Sequence, residues 1–204
     1  MYRATKEEPR LWTNPAYQHD IVDVTRQVMD NAFIPIYSDL VETYNNSRST
    51  QGSFAQKGET LIQLLTDLDS ILLTNRNFRL STWLDSAQAW AHGNKTEEAY
   101  LEYNARNQIT LWGPNGEISD YASKQWGGLV SSYYVPRWRM FIEYLKSTPT
   151  ASYNVTELHA KLRAFELHWQ DETWSAPEPT GDMVDLKKVL ERIVHNWPSV
   201  FGLK

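Results

Sequence analysis

The sequence predicts an all-α fold, a bundle of about eight helices with no sheet. Three observations carry that expectation. Apolar residues recur three or four positions apart along most of the 204-residue chain, which places them on one face of a helix. The periodic segments end at clusters of Gly, Pro, Asn and Ser. No stretch alternates apolar and polar residues between hairpin turns, and no repeat of fixed period is present.

Residues 1–16 are polar, contain Pro9 and Pro15, and read as a linker or the remnant of a leader; the domain is expected over 17–204. Helical spacing begins at Asp20, with Ile21, Val24 and Val28 on one side, and continues through Phe33, Ile36, Tyr37, Leu40 and Tyr44. Pro35 removes a backbone donor inside this run and should kink or interrupt it. The stretch from Asn45 to Ser53 ends the first helix, and a second is expected from Phe54 to Leu73 through Leu61, Leu64, Leu65, Leu68, Ile71 and Leu72. The two should form a helical hairpin. A third helix, Leu80 to Ala91, carries Leu80, Leu84, Ala87 and Ala91 on one stripe and should stop at Gly93.

Thr96, followed by Glu97 and Glu98, reads as the N-cap and acidic first turn of a fourth helix that runs to Leu111. Gly113-Pro114-Asn115-Gly116 cannot continue it, because proline disfavours helical geometry at the residue before it and Asn-Gly is a turn signal. Helical spacing resumes from Asp120 to Tyr134, weakened by Gly127-Gly128, a pair suited to close helix packing. Pro136 should open a sixth helix to Lys146, with Trp138, Phe141, Ile142 and Leu145 on its apolar face. Two more are expected over Thr156–Gln170 and Asp182–Trp197.

Composition excludes several functions. With 20 Lys and Arg against 25 Asp and Glu, a net charge of -5 and no basic block, there is no electrostatic footprint for nucleic acid. Absence of Cys removes a thiol nucleophile, an iron–sulfur cluster and a thiolate zinc site. The histidines, His19, His92, His159, His168 and His195, form no close ligand pair, so no metal is expected. No phosphate-binding Gly loop and no Gly-x-Ser-x-Gly elbow is present, and no cofactor is expected. No apolar window reaches the length of about 18 residues that a membrane span needs, so no membrane partner is expected. Met1 to Asn14 lacks the apolar stretch of a signal peptide.

Aromatic content is the feature that stands out, with nine Trp and 11 Tyr. Such rings fill cores and also offer flat apolar faces to sugars. Tyr103 to Tyr144 is the richest segment, and its loop has Trp112 at the start and Tyr121 just after it. The residues alone suit two roles for Trp112: a ring presented at a domain edge, or a plug closing the end of the bundle.

This segment resembles the C-terminal helical domain of the α-N-acetylglucosaminidase family, glycoside hydrolase family 89. The matching residues are Asn104, Arg106, Gln108, Thr110-Leu111-Trp112-Gly113-Pro114, Asp120-Tyr121-Ala122, Lys124-Gln125, Gly128-Leu129-Val130, Tyr133-Tyr134 and Pro136-Arg137-Trp138-Arg139. Val24-Thr25-Arg26-Gln27 upstream and Gly181-Asp182 downstream extend the resemblance from Tyr17 to Trp197. It implies a retaining exo-hydrolase that removes terminal α-linked N-acetylglucosamine with two Glu residues on a (β/α)8-type barrel. It places no catalytic residue in this chain, which is expected to be inactive alone and to partner that barrel domain. It also implies that Trp112, Ile118 and Tyr121 form a wall around the terminal sugar: the indole against its C–H face, the Ile shaping the pocket, the phenol bonding a hydroxyl or orienting a carboxylate. A secreted or lysosomal parent protein is implied, and the sequons at Asn45, Asn94 and Asn154 suit that route. Pro35, Asn115, Glu117 and Ser119 depart from the family pattern and leave the leaving-group preference open. Two other readings stand beside it: a stand-alone carbohydrate-binding module, and an interaction domain whose aromatics are buried packing.

Overall fold

The computed structural model describes residues 1–46, 51–113, 116–172 and 185–203. The turn residues Pro114 and Asn115, and the expected start of the last helix with Gly181 and Asp182, lie outside them. Eight α-helices are present among the described residues: α1 (Ala4–Glu7), α2 (Pro15–Asn45), α3 (Gln51–Leu73), α4 (Leu80–Gln88), α5 (Lys95–Ile109), α6 (Val135–Ser147), α7 (Val155–Asp171) and α8 (Leu186–Asn196). A two-stranded antiparallel ladder, β1 (Leu111–Trp112) and β2 (Ile118–Ser119), is the small exception to an otherwise helical chain. No described helix is long and apolar enough to cross a membrane.

The α2–α3 hairpin is the spine. Asn14 starts α2 by accepting from the backbone N–H groups of Ala16 and Tyr17, with Pro15 in the first turn where its missing donor costs nothing. Pro35 does not end this 31-residue helix. It sits on the exposed face, while Met29 and Leu40 on either side of it are fully buried, so packing holds both halves in line. One apolar cluster joins Ile21, Val22 and Met29 to Leu64, Leu68 and Ile71 and to Val189, Leu190 and Ile193 of α8. A second, at the other end of the hairpin, joins Leu40, Phe54 and Leu61 to Ile142, Leu145 and Leu158. A third packs Leu80, Leu84, Ala105 and Ile109 against Leu129, Tyr133 and Trp169. Each such side chain contributes about 1.5–3 kcal/mol on burial.

Residues 1–16, read above as a linker, carry α1 and a 3-10 turn at Pro9–Thr13. Tyr2 and Trp12 pack against the first cluster, and the Gln18 side-chain amide donates to the Trp12 carbonyl at 2.6 Å.

Several helix boundaries differ from expectation; α5 ends at Ile109, and Leu111 belongs to β1 instead. Asn94, not Thr96, caps α5, its side-chain oxygen accepting from the N–H groups of Thr96 and Glu97 at 3.1 and 3.4 Å. A short amide side chain one residue before the helix reaches both donors, which Thr96 inside the first turn cannot. The expected helix over Asp120–Tyr134 is an extended strap until Leu129. Asp120, Ser123 and Gly128 have φ of 54, 43 and 88°, which no right-handed helix admits. The Gly127 backbone is also engaged elsewhere: its N–H donates to Phe78 at 2.7 Å and its carbonyl accepts from Leu80 at 2.9 Å. A Cβ at Gly127 would stand 2.7 Å from the Leu73 nitrogen, so the glycine permits close approach, though in a strap. Pro136 stands in the first turn of α6, as expected, although a π turn at Val130–Tyr134 runs directly into that helix.

Asp69 starts this composite helix from α3. Its carboxylate, in a residue 6% exposed, accepts from the N–H groups of Gly128 and Ser131 at 2.8 and 2.9 Å. Burial raises the Asp69 carboxyl above its ordinary value of 3.8, and the bonds from Gly128 and Ser131 pull it partly back. Folding therefore favours the protonated group, and the contribution of Asp69 to stability falls as pH rises above the ordinary aspartate range. Asp69→Asn keeps an acceptor and removes the charge, so its melting temperature relative to wild type should climb as pH is raised towards neutrality. Asp69→Ala leaves the buried Gly128 donor and the partly buried Ser131 donor unpaired and should cost about 1–3 kcal/mol in thermal or urea denaturation. Unchanged stability in Asp69→Ala would remove this anchor from the account.

Candidate wall of a sugar site

The candidate site is built on the hairpin that follows α5. Strand alternation points successive side chains to opposite faces: Leu111 is 1% exposed, whereas Trp112 is 42% exposed. Trp112 pairs with Ile118 across the ladder, and the Tyr121 ring centroid lies 4.6 Å from that of Trp112 at an interplanar angle of 60°. Ile118 and Tyr121 are 47% and 64% exposed. The structure thus brings the three expected residues together on one outward face. That exposure rules out the plug role for Trp112; buried aromatic packing falls instead to Trp169 and Tyr133, at 1% and 0%.

Helices α5, α6 and α7 hold the hairpin. The Asn107 side chain makes paired bonds with the Gly113 backbone, accepting from its N–H at 3.2 Å and donating to its carbonyl at 3.3 Å. Asp120 N–H donates to the Thr110 carbonyl at 2.6 Å, and the Thr110 hydroxyl donates to the Arg106 carbonyl at 2.6 Å. Arg163 reaches from α7 to the Gly116 carbonyl at 3.4 Å and the Ser119 hydroxyl at 3.3 Å. Gly116 has φ 68°, which favours glycine, and a Cβ there would displace the Arg163 guanidinium. Arg137 of α6 pairs with Asp120 at 2.9 Å and with Glu166 of α7 at 2.9 Å.

The electrostatics do not suit proton transfer. Burial pushes the Tyr134 phenol up to about 12, with the Asp120 charge adding to the effect, and burial raises Tyr133 as well. Burial also disfavours the Arg137 charge, but Tyr133, Asp120 and Glu166 outweigh it and hold the guanidinium protonated. Asp120 and Glu166, the carboxylates beneath the hairpin, are committed to arginine. Among the described residues no group of three or more His, Asp or Glu is placed to hold a metal ion. What the arrangement offers is an exposed apolar and aromatic surface with a rigid base.

Sequence reasoning named Trp112, Ile118 and Tyr121 but not the ionic base beneath them. Arg137 and Asp120 lie within the matched motifs, yet Arg163 and Glu166 sit on a helix face that reads as solvated, and nothing local pairs them with the hairpin. A cavity of about 410 Å³ also lies behind the strap, lined by Phe33, Leu65, Tyr134 and Trp138 with Asp120 and Gln125. Trp112, Ile118 and Tyr121 do not line it. The outward face is the better candidate, because it carries all three expected residues.

Comparison with known proteins places this geometry. The description "Alpha-N-acetylglucosaminidase (NAGLU) C-terminal domain" matches residues 1–192, starting ahead of Tyr17. Human alpha-N-acetylglucosaminidase is 34% identical over 193 residues, which cover 93% of this chain and 26% of the human protein. The chain thus spans about a quarter of that relative's length. The family 89 glycoside hydrolase from Clostridium perfringens, solved in complex with 2-acetamido-1,2-dideoxynojirmycin, superposes with a TM-score of 0.69 at 21% identity over 87% of this chain and 21% of its own. The same enzyme in complex with PUGNAc gives a TM-score of 0.69 over 86% of this chain. At that identity the likeness speaks for the fold. The family match over nearly the whole chain and the human relative identify the sequence: this chain belongs to the family of α-N-acetylglucosaminidase C-terminal domains.

Proposed function

We propose that this chain is the helical domain of an exo-acting, retaining α-N-acetylglucosaminidase, lending Trp112, Ile118 and Tyr121 as one wall of a pocket for a terminal α-linked N-acetylglucosamine. The remaining walls and both catalytic carboxylates belong to a catalytic barrel domain outside this chain. One observation carries the reading: the three residues converge on a single outward face, with Trp112 and Tyr121 rings 4.6 Å apart. A tilted aromatic pair offers one ring face to the C–H side of a pyranose and leaves the phenol hydroxyl at its edge for a sugar hydroxyl. The Clostridium perfringens enzyme was solved in complex with 2-acetamido-1,2-dideoxynojirmycin and with PUGNAc, which supports the same sugar class here. Retention requires two carboxyl groups about 5–5.5 Å apart with no partner that neutralises both. Asp120, the carboxylate next to the wall, is held by Arg137 and does not meet that need.

Two measurements test the division of labour. The 204-residue chain should give a helical circular dichroism spectrum and no turnover of an aryl α-N-acetylglucosaminide. Hydrolysis by a pure preparation would place the chemistry inside the chain and overturn the proposal.

In a protein that joins this chain to its catalytic domain, Trp112→Ala removes stacking area and admits water. A lost aromatic contact of about 1–3 kcal/mol lowers kcat/KM roughly 5- to 150-fold. Since Trp112 is 42% exposed, its melting temperature should move far less than for a core truncation. Unchanged kcat/KM would leave the face as a surface for a partner and remove the sugar wall.

A further inference from the structure

We propose that Arg137 is a positioning residue: gripping Asp120 on one side and Glu166 on the other, it fixes where Tyr121 stands against Trp112. The geometry of the grip stands on its own, and its consequence for sugar binding rests on the function proposed above.

Asp120 directly precedes Tyr121 and is left-handed at φ 54°, a conformation uncommon for a residue with a side chain, though aspartate adopts it more readily than most. Three residues on, Ser123 is left-handed as well, at φ 43°, and its N–H and hydroxyl return to the Asp120 carbonyl at 2.9 and 3.0 Å. Tyr121 and Ala122 lie between these two unfavourable residues. The direction of the Tyr121 side chain therefore follows the backbone of Asp120.

The guanidinium grips the Asp120 side chain, in addition to the backbone bonds that Asp120 makes with Thr110 and Ser123. Arg137 Nη1 donates to both Asp120 carboxylate oxygens at 2.9 and 3.1 Å, and Nη2 meets Glu166 Oε1 at 2.9 Å. The guanidinium carbon also lies 4.7 Å from the Tyr133 ring centroid. A planar fork can face two carboxylates while one side lies over a ring, whereas a lysine ammonium cannot. The Arg137 and Glu166 side chains are 20% and 6% exposed, so water screens their pairing little. Glu166 is shared: its Oε2 lies 3.6 Å from Arg163 Nη1, and Arg163 holds Gly116 and Ser119. An alternating chain, Asp120–Arg137–Glu166–Arg163, thus ties both ends of β2 to α6 and α7.

The test labels the chain with 5-fluorotryptophan and reads the fluorine resonance of Trp112, assigned by its loss in Trp112→Phe. Arg137→Lys and Asp120→Asn should each shift or broaden that resonance, and the double variant should add little to either. The Trp197 resonance, from an indole bonded to Asp67 in the first cluster, and the helical circular dichroism should stay as in wild type. Should Arg137→Lys fail to fold, Asp120→Asn carries the test, since it removes charge at a residue whose side chain is 32% exposed. An unmoved Trp112 resonance in the folded variants would overturn the positioning role.

Kinetics in the catalytically complete protein separate this from the parent reading. Arg137→Lys should raise KM about tenfold with a smaller loss in kcat, because the misplaced ring weakens sugar binding. A moved Trp112 resonance with unchanged KM would sink the sugar wall and leave the positioning role standing.

Discussion

The arrangement of the hairpin depends on where the chain re-enters the bundle, and the buried Asp69 carboxylate sets that point. Its two bonds to Gly128 and Ser131 satisfy donors at the start of a helix that has no cap of its own. They also fix the end of the strap against α3, where Gly127 already exchanges backbone bonds with Phe78 and Leu80. With the strap tethered at both ends, residues 120–126 have little choice of path. They pass over α2, where Gln125 bridges Asp30 at 2.7 Å and Arg26 at 2.8 Å. Trp112, Ile118 and Tyr121 at the other end inherit that order.

A second group of buried charges stiffens the platform under the hairpin. Arg106 is fully buried, pairs with Glu102 at 2.8 Å, and lies 4.5 Å from the Trp169 ring centroid. Glu102 also accepts from the Gln88 side chain at 2.7 Å, so α4, α5 and α7 meet at one ion pair. Burying a charge costs several kcal/mol unless it is paired and hydrogen-bonded, and here it is both. Such a cluster adds less to stability than an apolar core of equal volume. What it contributes is a single allowed arrangement, and the Arg106 carbonyl passes this on to Thr110 at the root of β1.

The chemistry of the domain follows from what is exposed and what is tied down. Asp120 and Glu166 beneath the hairpin are paired with Arg137, while Trp112, Ile118 and Tyr121 face outward. The chain belongs to the family of α-N-acetylglucosaminidase C-terminal domains and spans about a quarter of the human relative.

The sequence by itself determined the helices, because periodicity of apolar residues is local information: Leu61, Leu64, Leu68, Ile71 and Leu72 mark α3 without reference to any other segment. Its motifs likewise singled out Trp112, Ile118 and Tyr121, now seen on one face. Tertiary structure alone decided the strap, since Tyr121, Trp126 and Val130 are spaced as in a helix but Gly127 finds its hydrogen-bond partners between α3 and α4. It decided the continuity of α2 through Pro35, which depends on packing on both sides of the proline. It also decided the ionic base, for Asp120, Arg137, Glu166 and Arg163 come from three separate segments. Charge pairing has no period, so side chains that read singly as solvated become partners only when the helices carrying them are packed.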